Sequence, residues 1–290
     1  MPDDEKKIEL ACTVSGQELA QYVNDPSARV IRAVLKNANL LEEDVLIIAQ
    51  RKNLPADILE YIAKDKRWSE SYPVRLALAR NPRSPLSVSL TQARYLRLFD
   101  LEEITHSHHV PLVFRNKVEA IICERIPSMP LGNKKTLAKK AVGTVLLRLL
   151  YDPDADVVKL CLNNPHLTEA HLYKIISRSD TVERTIRMIA EHPNWSSRSL
   201  IRLSLARNTF TPLSLSLNFL QGMKIMDLKE LYHDPAVPIT IKPFIHRELW
   251  ERGQDAKKAV EDQIFEIDEE EVAEIEREEN IPSMPEEDSE

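Results

Sequence analysis

Apolar residues return every three or four positions through most of this chain, the period of a helix face. In the stretch NWSSRSLIRLSLARN, Asn194–Asn208, that period puts Leu200, Leu203 and Ala206 on one predicted face, with Ile201 and Leu205 beside it. Such stripes are roughly 9–14 residues long, too short to be stable as isolated helices. They stop at breakers: Asn164-Pro165, His192-Pro193 and Asp234-Pro235. Ser84-Pro85 and Thr211-Pro212 read as helix starts, with a hydroxyl at the N-cap and proline at N1. Short helices that each bury one face on their neighbours predict an all-α fold, and in this order an α-solenoid of HEAT-like helical repeats.

The pattern also repeats on a longer scale. RLALARNPRSPLSVSL at Arg75–Leu90 returns as RLSLARNTFTPLSLSL at Arg202–Leu217. At the offset that carries Arg75 onto Arg202, 35 of the 112 pairs from Val14 to Arg125 are identical without a gap; unrelated sequence would give about 7. The matches include Gly16/Gly143, Asp25/Asp152, Asn37/Asn164, Trp68/Trp195, Asn81/Asn208 and Arg125/Arg252. We therefore expect an N-terminal extension (1–13), helical module 1 (14–126), a basic linker (127–141), helical module 2 (142–253) and an acidic tail (254–290).

Composition narrows the chemistry. Five glycines in 290 residues leave little for phosphate-cradling loops or tight hairpins. The three cysteines, Cys12, Cys123 and Cys161, are far apart and form no CxxC pair, so neither a thiolate metal site nor a disulfide framework is predicted. The start, MPDDEKKIEL, lacks the layout of a signal peptide, and no apolar run has membrane-spanning length. A cytoplasmic protein without membrane contact is expected. His106, His108 and His109 lie in the loop THSHHV, which has metal-ligand spacing but no carboxylate within it; no cofactor or metal is expected. No Gly-x-Ser-x-Gly or HExxH motif occurs, and the chain does not read as an enzyme.

Charge divides the chain. Residues 254–290 carry 16 acidic and 3 basic side chains, a net −13; with −7 overall, residues 1–253 stand at +6. The tail spaces Val260, Ile264 and Ile267, then Val272 and Ile275, at helical intervals. It either solubilises, docks on the last repeat, or folds over the basic body in competition with an acidic ligand. Arg75, Arg80, Arg202 and Arg207 recur in one frame, and Lys134, Lys135, Lys139 and Lys140 cluster in the linker. These eight are the candidate ligand contacts. The arginines have a structural alternative, in which they bind helix-end carbonyls or pair with a carboxylate such as Asp100 or Asp227. Trp68 and Trp195 are expected to pack between repeats.

Three segments, SMPLGNKKTLAKKA (Ser128–Ala141), LLYDPDADVVKLCLNNPHLTEAHLYKI (Leu149–Ile175) and RLALARNPRSPLSVSL, resemble an uncharacterised bacterial family of HEAT-like, leucine-rich-repeat-variant helical repeat proteins. The resemblance spans about Gly16–Arg252. It implies the helical-repeat fold and a bacterial cytoplasmic setting, and no activity. Module 2 departs from its style at Asn208-Thr209, where module 1 has Asn81-Pro82. The functional expectation is a non-enzymatic scaffold that binds a protein partner on the concave face of the repeats. Its alternative is sequence-independent binding of nucleic acid through phosphates, regulated by the tail. The sequence leaves the oligomeric state open.

Overall fold

The computed structural model describes residues 2–178 and 180–253, and every regular element among them is helical. They divide into two compact units, one ending at Thr168 and one starting at Glu169. This division follows packing, and it leaves the first helices of the expected module 2 in the first unit.

The first unit runs α1 (Pro2–Thr13), α2 (Gln17–Val23), α3 (Ala28–Lys36), α4 (Glu42–Gln50), α5 (Ala56–Lys64), α6 (Tyr72–Arg80), α7 (Leu86–Ala93), α8 (Leu98–His106), α9 (Leu112–Arg125), α10 (Leu131–Ala138), α11 (Gly143–Leu149) and α12 (Ala155–Leu162). Each helix packs mainly on those one or two places away in the chain. Thus α3 rests on α1, α2 and α5, α4 on α2 and α6, and α9 on α7, α8 and α11. A helix flanked on several sides buries a wide arc, and α3 buries Val30, Ile31, Ala33, Val34 and Leu35. Burial on neighbours supplies the stability that so short a helix lacks alone.

The second unit runs α13 (Glu169–Ile176), α14 (Glu183–Glu191), the single turn α15 (Pro193–Ser196), α16 (Ser199–Arg207), α17 (Leu213–Gln221) and α18 (Ile225–His233), then a helical stretch over 242–253. Here α16 is central, packed on α13, α14, α17 and α18. Its buried face is Ile201, Ser204, Leu205 and Ala206, while Leu200 is 42% exposed. The face predicted from Leu200 and Leu203 is therefore turned by about one residue, because neighbours on several sides, rather than a single apolar stripe, decide which arc is covered.

The cap expectation shifts in the same way. α7 and α17 begin one residue later, with Pro85 and Pro212 themselves in the extended cap position. Thr211 turns its hydroxyl back to donate to the Leu205 carbonyl, 2.6 Å away at the end of α16. Proline sets the extended entry; the Thr211 hydroxyl then satisfies the preceding helix, whereas the Ser84 hydroxyl is buried without a partner among the described residues. Both tryptophans pack inward: Trp195 is 9% exposed, and Trp68 lies against the core of the first unit.

The joints between helices are polar. The Asn37 amide donates to the Ala11 and Val14 carbonyls at 2.9 and 2.8 Å, and its Oδ1 accepts the Asn39 N–H at 2.8 Å. Asn164 repeats this on Ala138 and Ala141 at 2.8 and 3.0 Å, and accepts from His166. Asn81 donates to Ala49 and Arg51 and accepts from Arg83, and Asn208 donates to Ile176 and accepts from Phe210. Arginines do similar work. Arg125 donates to Leu96 and Arg94, and Arg252 to Met223 and Gln221. The last carbonyls of a helix have no partner inside it. Here side chains 23 to 32 residues further on supply one.

Gly16 and Gly143 are the two positive-φ residues among those described, at 59° and 54°. A Cβ at Gly16 meets nothing, whereas one at Gly143 would fall 2.5 Å from the Glu119 carboxylate, which accepts the Thr144 N–H and hydroxyl.

The joints can be tested by substitution. Asn81→Ala strands two carbonyls and an N–H and should lower the stability of the first unit by about 2–4 kcal/mol in urea unfolding. Gly16→Ala should cost about 1–3 kcal/mol for its backbone alone, since φ 59° with ψ −131° is a combination side chains avoid, and Gly143→Ala measurably more, because Glu119 must also move.

Candidate functional site

The same surface feature occurs in each unit. Between α4 and α6 lies an open groove of about 360 Å³, lined by Leu46, Leu76, Ala77, Arg80, Asn81 and Pro82 among others. Between α13 and α16 lies a groove of about 280 Å³, lined by Tyr173, Ile176, Ser204, Arg207, Asn208 and Thr209 among others. Leu46/Tyr173, Ala77/Ser204, Arg80/Arg207, Asn81/Asn208 and Pro82/Thr209 are all pairs at the offset that carries Arg75 onto Arg202. Asn81 and Asn208 are the clamps described above, so both grooves form where a clamp draws the end of one helix onto the next. Their linings differ. Leu46, Ala77 and Pro82 make the first apolar, and Tyr173, Ser204 and Thr209 give the second hydroxyls.

Each groove holds one half-buried arginine bound to carboxylates from the loop or helix beyond it. Arg80 Nη2 lies 2.5 Å from Glu103 and 3.6 Å from Asp100. Arg207 Nε donates to Asp234 at 2.7 Å and its Nη2 to Glu230 at 2.5 Å. Glu103 and Glu230 correspond at the same offset; Asp227, the other carboxylate anticipated, is not in the pair. Burial pulls Arg207 down, but its bonds to Asp234 and Glu230 outweigh that and raise its pKa. The Ala236 N–H, followed by Arg207, holds Asp234 below the usual carboxylate value. Beside the first groove Asp100 also accepts from the Tyr72 hydroxyl, Arg97 stacks over Tyr72 at 4.8 Å, and burial followed by Asp100 raises the Tyr72 pKa.

The other candidate cations are placed as follows. Arg75 donates to the Ser69 carbonyl at 2.6 Å and stacks on Tyr95 at 4.5 Å. Arg202 donates to Ser197 and lies against Gly222, the counterpart of Tyr95, where a Cβ would fall 2.6 Å from Nη1. Lys134 and Lys135 bind Asp152 and Asp156 at 2.9 and 2.5 Å. Lys139 and Lys140 are exposed. The structure thus places Arg80 and Arg207 in equivalent grooves, one in each unit. The sequence reading missed the grooves' apolar and hydroxyl linings; the aligned pairs Leu46/Tyr173 and Ala77/Ser204 differ in residue type and so left no identity to notice.

The remaining reactive groups are dispersed. Cys161 is fully buried, and burial followed by Asp152 pushes its thiol up to about 12. His106 Nε2 lies 2.9 Å from Glu102 but off-line for a hydrogen bond, and its ring centroid is 5.3 Å from that of His166. Among the described residues no group of three or more His, Cys, Asp or Glu is placed to share an ion, and no helix is long and apolar enough to cross a membrane. Comparison with protein-family models, with curated proteins and with solved structures finds no match.

The two arginines should differ in weight. Arg80 has one close partner, Glu103 at 2.5 Å, with Asp100 at 3.6 Å; Arg207 has two, Asp234 at 2.7 Å and Glu230 at 2.5 Å. Arg80→Ala should cost well under about 1 kcal/mol, and Arg207→Ala about 1–2 kcal/mol because it breaks two close pairs and strands Asp234, which is 21% exposed. A carboxylate with a depressed folded pKa stabilises above its unfolded value of 3.8 and loses that contribution as pH falls below it. The gap between wild type and Arg207→Ala should therefore close below about pH 4, as read by thermal melts across pH.

Proposed function

We propose that this chain is a non-enzymatic interaction scaffold: an α-solenoid of HEAT-like repeats, built from two copies of one module, that binds a protein partner on its inner face. The observation that carries this reading is the recurrence of one groove at the module offset, with the same arginine and the same asparagine in each. A groove made from the clamp that joins two helices comes with the repeat. Its apolar or hydroxyl-bearing lining is free to vary, which suits recognition of side chains on an extended partner. Both grooves are open and shallow, unlike the enclosed clefts in which small substrates are held. Six of the eight candidate cations are engaged within the chain, leaving Lys139 and Lys140 to solvent, and this weighs against phosphate-backbone binding as the main role.

The test uses the full chain and a variant carrying Leu46→Glu and Tyr173→Glu, at half-buried and exposed groove positions respectively. Proteins captured by wild type are identified, and affinity is measured for the purified partner. The expected result is at least tenfold weaker binding by the variant, equivalent to about 1.4 kcal/mol, with unchanged helicity. A partner held equally by both forms refutes the groove reading. Salt-sensitive binding of duplex DNA or RNA by wild type would replace it with the nucleic-acid alternative, and turnover in a substrate screen with an enzyme.

A further inference from the structure

One helix of the first unit and the last described helical stretch of the second occupy equivalent positions in the two modules, and they differ in what covers them. In the first unit α9 is overlaid by α11, and residues on it and just past its end are buried: Glu119 is 9% exposed, Ile122 1% and Ile126 4%. At the corresponding places on the stretch 242–253, His246 and Gly253 are exposed and Leu249 is half-buried. Trp250, at the position of half-buried Cys123, is 63% exposed. An open tryptophan beside half-buried Leu249 marks a face built to be covered.

We propose that the face around Trp250 is the docking site of this chain's own residues 260–275, as α11 is seated on α9. Three observations select this occupant. Only six residues, 254–259, separate the helical stretch from Val260, so the segment starts within about 24 Å of Gly253, one turn from Trp250. A tether that short holds it at an effective concentration in the millimolar range, ahead of any free partner. Val260, Ile264 and Ile267, then Val272 and Ile275, provide apolar contacts at helical spacing. The polar contacts match in sign as well. α11 has no acid in its first turn and meets the Glu119 carboxylate, whereas the second face offers His246 at that position to an acidic segment, with Arg247, paired to Glu251 at 3.8 Å, beside it.

The experiment places a photo-crosslinking phenylalanine derivative at position 250 of the full chain, and as a control at exposed position 43 on α4. The expected product has monomer mass, maps by mass spectrometry to residues 260–275, and falls at least fivefold when Ile264→Ser, Ile267→Ser and Val272→Ser are introduced. In the unmodified backbone the same three substitutions should speed hydrogen exchange across 242–253 at least threefold. A product of dimer mass makes the face a contact between copies and overturns the proposal. So does a link mapping elsewhere, or a yield no higher than from position 43. The test is independent of the groove variants, so either reading can fail alone.

Discussion

An α-helix ends in carbonyls that nothing within it can bind, and in this protein those carbonyls join one helical pair to the next. Asn37, Asn81, Asn164 and Asn208 each reach back to the end of an earlier helix while their Oδ1 closes the local turn two residues on. One side chain thus satisfies the old helix and starts the connection to the new one. A buried amide that loses such partners costs far more than the bond contributes when made. The clamp therefore tolerates little sliding between helices, and apolar packing that would otherwise accept several registers is held in one.

The grooves follow from that constraint. Where the clamp fastens the end of α4 to α6, or of α13 to α16, the facing side chains beyond it cannot close the space, and a shallow trough is left. The fixed parts of the trough are those the joint needs, the asparagine and the arginine with its carboxylates. The variable parts are those the joint ignores. Leu46 against Tyr173 and Ala77 against Ser204 change the surface offered to a ligand without touching the clamp.

Arginine has two uses in this architecture. Arg125 and Arg252 bind helix-end carbonyls and belong to the joints. Arg80 and Arg207 bind carboxylates at a groove rim, where exposure weakens each pair. Nothing in the local sequence separates the two uses, since both kinds recur at the same offset and both sit at helix ends.

The helical class, the breakers and the recurrence of matched residues at one offset were all legible in the chain itself, because period, proline and identity are local or countable properties. So was the importance of the matched asparagines, though only as residues that close a helix. Their role as clamps was not legible: the carbonyls they bind lie 23 to 32 residues away and are backbone atoms that leave no mark in a sequence. For the same reason the buried arc of α16 differs by a residue from its apolar stripe, and Thr211 serves the helix before it instead of the one after. Where three or four neighbours surround a short helix, tertiary contact decides which side is inside, which hydroxyl caps which end, and which surface stays open.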